Sequence, residues 1–154
     1  GSDAYQLAEQ TGRALAECGY AVASGGYGGV MEGASKACKA AGGETIGVTC
    51  SIWRSSPNAW VDHVLDTATY EQRLLTLVQL ADVYVVLPGA TGTLVELAIV
   101  WERACKKFAD GQKPILCIGE FFRPLVELMT AERPSAEHAI QLLANPGEIR
   151  NVLN

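Results

Sequence analysis

The stretch ADVYVVLPGATGTLVELAIVWERACKK, residues 81–107, decides how the rest of the chain is read. ADVYVVL is a short apolar run of the kind required by a strand buried on both faces. From about Thr93 to Phe108 the residues have the length and composition of a helix. Between the two, LPGATGT spends a proline, two glycines and two threonines on a turn. Strand, glycine loop and helix in that order form the repeating unit of a parallel α/β sheet.

The same alternation runs outward in both directions. Residues 3–18 carry Tyr5, Leu7, Ala8, Leu15 and Ala16 at helical spacing and stop at Gly19. The strand YAVAS (20–24) leads into SGGYGGVMEG (24–33), a helix over 30–41 that closes on Gly42 and Gly43, and the strand ETIGVT (44–49). CSIWRSSPNAW (50–60) is predicted to be an ordered loop, and VDHVLDTA (61–68) to hold a short strand. A helix over 70–81 precedes the strand at 83–87. Downstream, KPILCIG (113–119) is a strand, FFRPLVELM (121–129) a helix, AIQLL (139–143) a last strand and PGEIRNVL (146–153) a last helix, with Pro146 suited to its first turn. The expected fold is α/β, a doubly wound, mostly parallel sheet in a single domain over residues 1–154.

Composition narrows the function classes. A formal charge of −5 with 12 Lys and Arg against 17 Asp and Glu argues against a broad nucleic-acid footprint, though not against one small phosphate ligand. No apolar run reaches the roughly 20 residues that span a bilayer, and GSDAYQLAEQ lacks the features of a signal peptide, so a cytoplasmic protein is expected. The five cysteines, Cys18, Cys38, Cys50, Cys105 and Cys117, have no CxxC spacing and suggest neither a disulfide framework nor a zinc site. His63 and His138 share no metal-ligand spacing with them.

Chemistry is expected where strands end and helices begin. Helix N-termini present unpaired N–H groups and partial positive charge, so a glycine-rich approach makes a phosphate seat without basic side chains. Two such loops occur, one with Gly25, Gly26, Gly29 and Met31, the other with Pro88, Gly89, Ala90, Thr91, Gly92 and Thr93. Helix caps and tight turns also select Gly, Ser and Thr, so either loop alone reads equally as a structural cap. Glu96 lies about one turn into its helix, where it either faces the loop or complements the helix dipole. Arg73 is either a functional cation or a surface arginine paired with Glu71 or Glu102. Trp53 and Trp60 flank their loop, as pocket lining or as packing.

Together these residues resemble the LOG family of Rossmann-like nucleotide-binding proteins, often called "lysine decarboxylase-like", which includes cytokinin riboside 5'-monophosphate phosphoribohydrolases. The family's PGGxGTxxE matches Pro88, Gly89, Gly92, Thr93 and Glu96. Its arginine, nine residues before an aspartate that opens the next strand, matches Arg73 and Asp82. Its GGxxGVMEA matches Gly25, Gly26, Gly29, Val30 and Met31. The resemblance implies a nucleoside 5'-monophosphate with its phosphate on PGATGT, hydrolysis of the N-glycosidic bond to free base and ribose 5-phosphate, Arg73 and Glu96 as catalytic residues, no metal or other cofactor, and a homodimer. A helix face with Val95, Ile99 and Trp101 is the candidate dimer surface. Relatives with the same loops also resemble molybdenum-cofactor carriers, so a non-catalytic carrier of a phosphorylated ligand is the alternative.

Four departures accompany the match. Ala90 replaces the second glycine of PGG, which matters if that position needs positive φ. Ser24 stands at a first glycine, and Leu74 at the lysine of the cytokinin-activating enzymes. The family also opens with a strand before the helix that starts here at Asp3, so the sheet is expected to lack its usual first strand, with neighbouring strands closing up or a partner covering the gap.

Overall fold

A computed structural model describes residues 2–108 and 112–154. They fall into two compact units, the first built from residues up to 80 together with 146–154, the second from residues 81–145. The architecture is α/β and Rossmann-like, and every strand pair is parallel.

The first unit opens with α1 (Asp3–Glu17), followed by β1 (Val22–Ser24), α2 (Val30–Ala40), β2 (Thr45–Cys50), β3 (His63–Thr67) and α3 (Tyr70–Leu80). Ser2 caps α1, its Oγ accepting the Tyr5 N–H at 3.2 Å. The helix ends where Gly19 turns left-handed at φ +86 and the Tyr20 N–H reaches back to the Leu15 carbonyl at 3.0 Å. Gly42 closes α2 in the same way. The strand order is β1-β2-β3, with Ala23 beside Ile46 and Val48 beside Leu65. β2 is central and nearly all buried, as its apolar run requires, whereas β3 is an outer strand exposed along most of its length.

The segment 51–60 is a loop as expected, except for one short 3-10 turn at Ser51–Trp53. Residues 146–154 return to this unit as a 3-10 turn and α6 (Ile149–Leu153), packing on α1 with Ile149 fully buried.

The second unit holds β4 (Tyr84–Val86), α4 (Thr91–Cys105), β5 (Ile115–Ile118), α5 (Arg123–Glu132), a 3-10 segment at Pro134–Ala139 and β6 (Ile140–Leu143), with strand order β4-β5-β6. All four residues of β5 are buried, with Leu116 and Ile118 at the centre of the core. Trp101 of α4 is buried as well, and its indole N–H donates to the Ala136 carbonyl at 3.0 Å. The expected face of Val95, Ile99 and Trp101 is therefore not a free face: Trp101 belongs to the core, while Leu94 and Val95 are exposed. Among the described residues no strand precedes α1, and β1 and β4 are outer strands of their sheets.

Candidate functional site

In the first unit the site is organised by Arg73, a charged side chain only 9% exposed. A buried guanidinium must be hydrogen-bonded to be tolerated. Here Nε donates to the Val48 carbonyl at 2.8 Å and Nη2 to the Gly25 carbonyl at 3.1 Å. Its Cζ also lies 4.9 Å from the Trp53 ring centre and 5.5 Å from that of Tyr27, within reach of cation–π attraction. Arg73 is thus neither a solvated arginine nor defined by an ion pair with Glu71 or Glu102. Glu102 instead faces Arg133 at 3.3 Å and Lys106 at 3.7 Å.

These contacts explain the first glycine loop. A Cβ on Gly25 would overlap Arg73 Nη2 and come 2.6 Å from the Met31 sulfur. Gly26, at φ +80, lies so close to β2 that a Cβ would meet Gly47 Cα at 3.0 Å and Thr49 Cγ2 at 3.2 Å. Gly29 caps α2 with positive φ and no side-chain hydrogen bond, and both it and Gly28 have open space around them. Asn58 clamps the loop from the other side: its backbone N–H donates to Gly26 O at 2.8 Å and its side-chain amide to Tyr27 O at 2.8 Å. The Tyr27 hydroxyl in turn accepts the Cys50 N–H at 2.9 Å and donates to the Cys50 carbonyl at 3.2 Å. Neither Tyr27 nor Asn58 belongs to a recognisable motif in the sequence. A tyrosine inside a glycine run was the only available signal.

In the second unit, β4 delivers Pro88, Gly89 and Ala90 to the N-terminus of α4, which begins at Thr91. Ala90 is the N-cap residue at φ −96, ψ −150, an extended conformation open to any L-residue, so it fits without strain where relatives carry glycine. No side chain caps the helix, and its first turn contains no acidic residue. A Cβ on Gly89 would overlap the Thr93 hydroxyl, so this glycine lets Thr93 fold back beneath the loop. Thr91 and Gly92 are exposed, and Gly92 has open space above it.

Glu96 is the sixth residue of α4 and half-buried, in the second turn rather than the first. Dipole complementation fades beyond the first turn, which weakens that explanation. Helical side chains lean toward the N-terminus, and residues three and four apart share a face. Glu96 therefore shares the helix face of Gly92 and Thr93. Uncapped N–H groups can bind an anion, and a carboxylate in the second turn can stabilise positive charge that develops near it.

Other chemistry is less well served. Among the described residues no group of three or more His, Cys, Asp or Glu is placed to hold a metal ion, and no helix is long and apolar enough to cross a membrane. All five cysteines are free, and burial pushes the Cys117 thiol up to about 11.

Comparison with known proteins gives these geometries a context. The model of the SLOG cluster4 family matches residues 1–149. An uncharacterised protein of Archaeoglobus fulgidus is 28% identical over 117 residues, 76% of each chain. A Mycobacterium tuberculosis protein named cytokinin riboside 5'-monophosphate phosphoribohydrolase is 32% identical over 99 residues, 62% of this chain but only 53% of that one. Among solved structures, the molybdenum cofactor binding protein of the phototrophic bacterium Rippkaea orientalis is similar with a TM-score of 0.78 and 25% identity, over 99% of this chain and 87% of that one.

Proposed function

The chain belongs to the SLOG cluster4 family, and on that premise we propose that it binds a nucleoside 5'-monophosphate and hydrolyses its N-glycosidic bond to free base and ribose 5-phosphate. The observation that carries the reading is the uncapped start of α4, with Glu96 in its second turn on the helix face of Gly92 and Thr93. The phosphate sits on residues 88–93, held by helix N–H groups and the Thr91 and Thr93 hydroxyls. Breaking the bond builds positive charge on the ribose ring, which the Glu96 carboxylate stabilises while orienting the attacking water. Arg73 serves as a positioning residue, spending two of its five N–H groups on the carbonyls that shape the first glycine loop. The similarity to the mycobacterial phosphoribohydrolase supports this reading. So does the order of the two glycine loops.

The test is release of free base from AMP and the other common monophosphates. Turnover should fall by roughly a hundredfold or more in Glu96→Gln, the scale expected for removing one preorganised electrostatic group. Equal inertness of wild type and variant sinks the enzyme reading.

A second reading is a carrier that binds a phosphorylated ligand and returns it intact. The similarity over 99% of the chain to a molybdenum cofactor binding protein favours it. Stoichiometric binding without base release, unaltered in rate by Glu96→Gln, distinguishes the two. In either reading the protein works in the cytoplasm as a homodimer, with Leu94 and Val95 of α4 as the candidate contact, and light scattering checks the mass.

A further inference from the structure

Trp53 stands out among the residues near the first glycine loop. It follows the carboxyl end of β2, the end of a parallel strand at which ligands bind in this architecture. The residue is 42% exposed, yet three neighbours hold its indole in place. The Arg73 guanidinium lies 4.9 Å from the ring centre, Tyr27 meets it edge-on at 5.8 Å and 71°, and Tyr70 at 6.1 Å and 66°. Those neighbours are themselves fixed: Arg73 by two backbone carbonyls, Tyr27 by both polar groups of Cys50. Rigid placement and solvent exposure of a large aromatic ring are an unusual pair. An indole serving only the core would be covered, and one serving nothing would be free to rotate. A preorganised, uncovered ring loses little entropy when a second flat group settles on it.

We propose that Trp53 is the stacking face for the planar heterocycle of the ligand, a purine or a pterin carried on a phosphate ester. This rests on the reading that the protein binds such an ester. Stacking is tolerant of which heterocycle is presented, because each has a π face. Residue 53 thus governs affinity for the flat group.

Calorimetric titration of the full chain with AMP, ribose 5-phosphate, free adenine and a free pterin tests this. AMP affinity should fall roughly tenfold in Trp53→Ala, as loss of one base–aromatic stack predicts, with ribose 5-phosphate unchanged. Trp53→Phe should recover most of the loss. The larger Trp53-dependent affinity, adenine or pterin, identifies the heterocycle. Unchanged AMP binding, or an equal loss for AMP and ribose 5-phosphate, overturns the inference. Should wild type bind neither phosphorylated compound, the phosphate-ester reading fails. Adenine and pterin then decide the stacking face: Trp53-dependent binding upholds it, and none overturns it. If Trp53→Ala does not fold, quenching of Trp53 fluorescence by AMP or the free heterocycles in a Trp60→Phe background takes its place. The buried Trp101 contributes a constant signal, and absence of quenching counts against the proposal.

Discussion

At the scale of single residues, one side chain ties the Trp53 loop to the sheet. Asp62 accepts from the Lys39 ammonium at 2.6 Å and from the Thr45 backbone N–H at 3.0 Å. Thr45 Oγ1 donates to the Trp60 carbonyl at 2.5 Å, so the far end of the loop is fixed to the start of β2. The hydrogen bond from Lys39, then that from Thr45, hold the Asp62 carboxyl below its usual value. A depressed folded-state pKa means that the ionised form favours folding. The contribution is fully present above the unfolded aspartate pKa of about 4, and is lost as pH falls through the lower folded value. Asp62→Asn should therefore show a shallower loss of urea resistance than wild type below about pH 4, with parallel behaviour at higher pH. Parallel curves across the whole acid range would show that the loop anchor does not depend on this charge.

At the scale of elements, α1 and α2 pack closely in the first unit. Gly12 faces α2 so closely that a Cβ would overlap the Ala34 carbonyl oxygen and lie 2.9 Å from its carbon. Backbone cannot yield as a side-chain tip does. Gly12→Ala should thus destabilise by about 3 kcal/mol, the upper range for overpacking, despite the better helix propensity of alanine. A chemical-denaturation midpoint at or above wild type would refute the close approach. This contact shows where sequence reading reached its limit. The strands were legible because β2 and β5 are central and buried, which demands continuous apolar runs such as TIGVTC and ILCI. Helix ends were legible from Gly19 and Gly42, where positive φ is required. The 3-10 segment at Pro134–Ala139 left no periodic trace because it is too short to have a period. The position of Glu96 shifted from first turn to second because the helix begins at Thr91, two residues before its expected start at about Thr93. Arg73 was visible as a candidate, but its partners were not: they are carbonyls 25 and 48 positions away in sequence, and no residue type marks a carbonyl acceptor.

At the scale of the whole molecule, chain connectivity makes the first unit depend on residues from the far end of the sequence. Residues 146–154 rejoin α1 after the entire second unit has been traversed. Pro146 and Ile149 are buried there, and Arg150 pairs with Glu17 at the end of α1. The ion pair joins two partly exposed side chains and contributes little. The buried isoleucine carries the attachment. Removing its side chain leaves a cavity against α1, so Ile149→Ala should cost about 2–5 kcal/mol, while Arg150→Ala should cost less than about 1 kcal/mol. The loss should appear in the first unit: thiol labelling of Cys38 and Cys50, both buried there, should accelerate in Ile149→Ala under native conditions. Labelling rates and denaturation midpoint indistinguishable from wild type would mean that residues 146–154 are a passive tail, and that residues up to 80 hold the Arg73 and Trp53 cluster together without them.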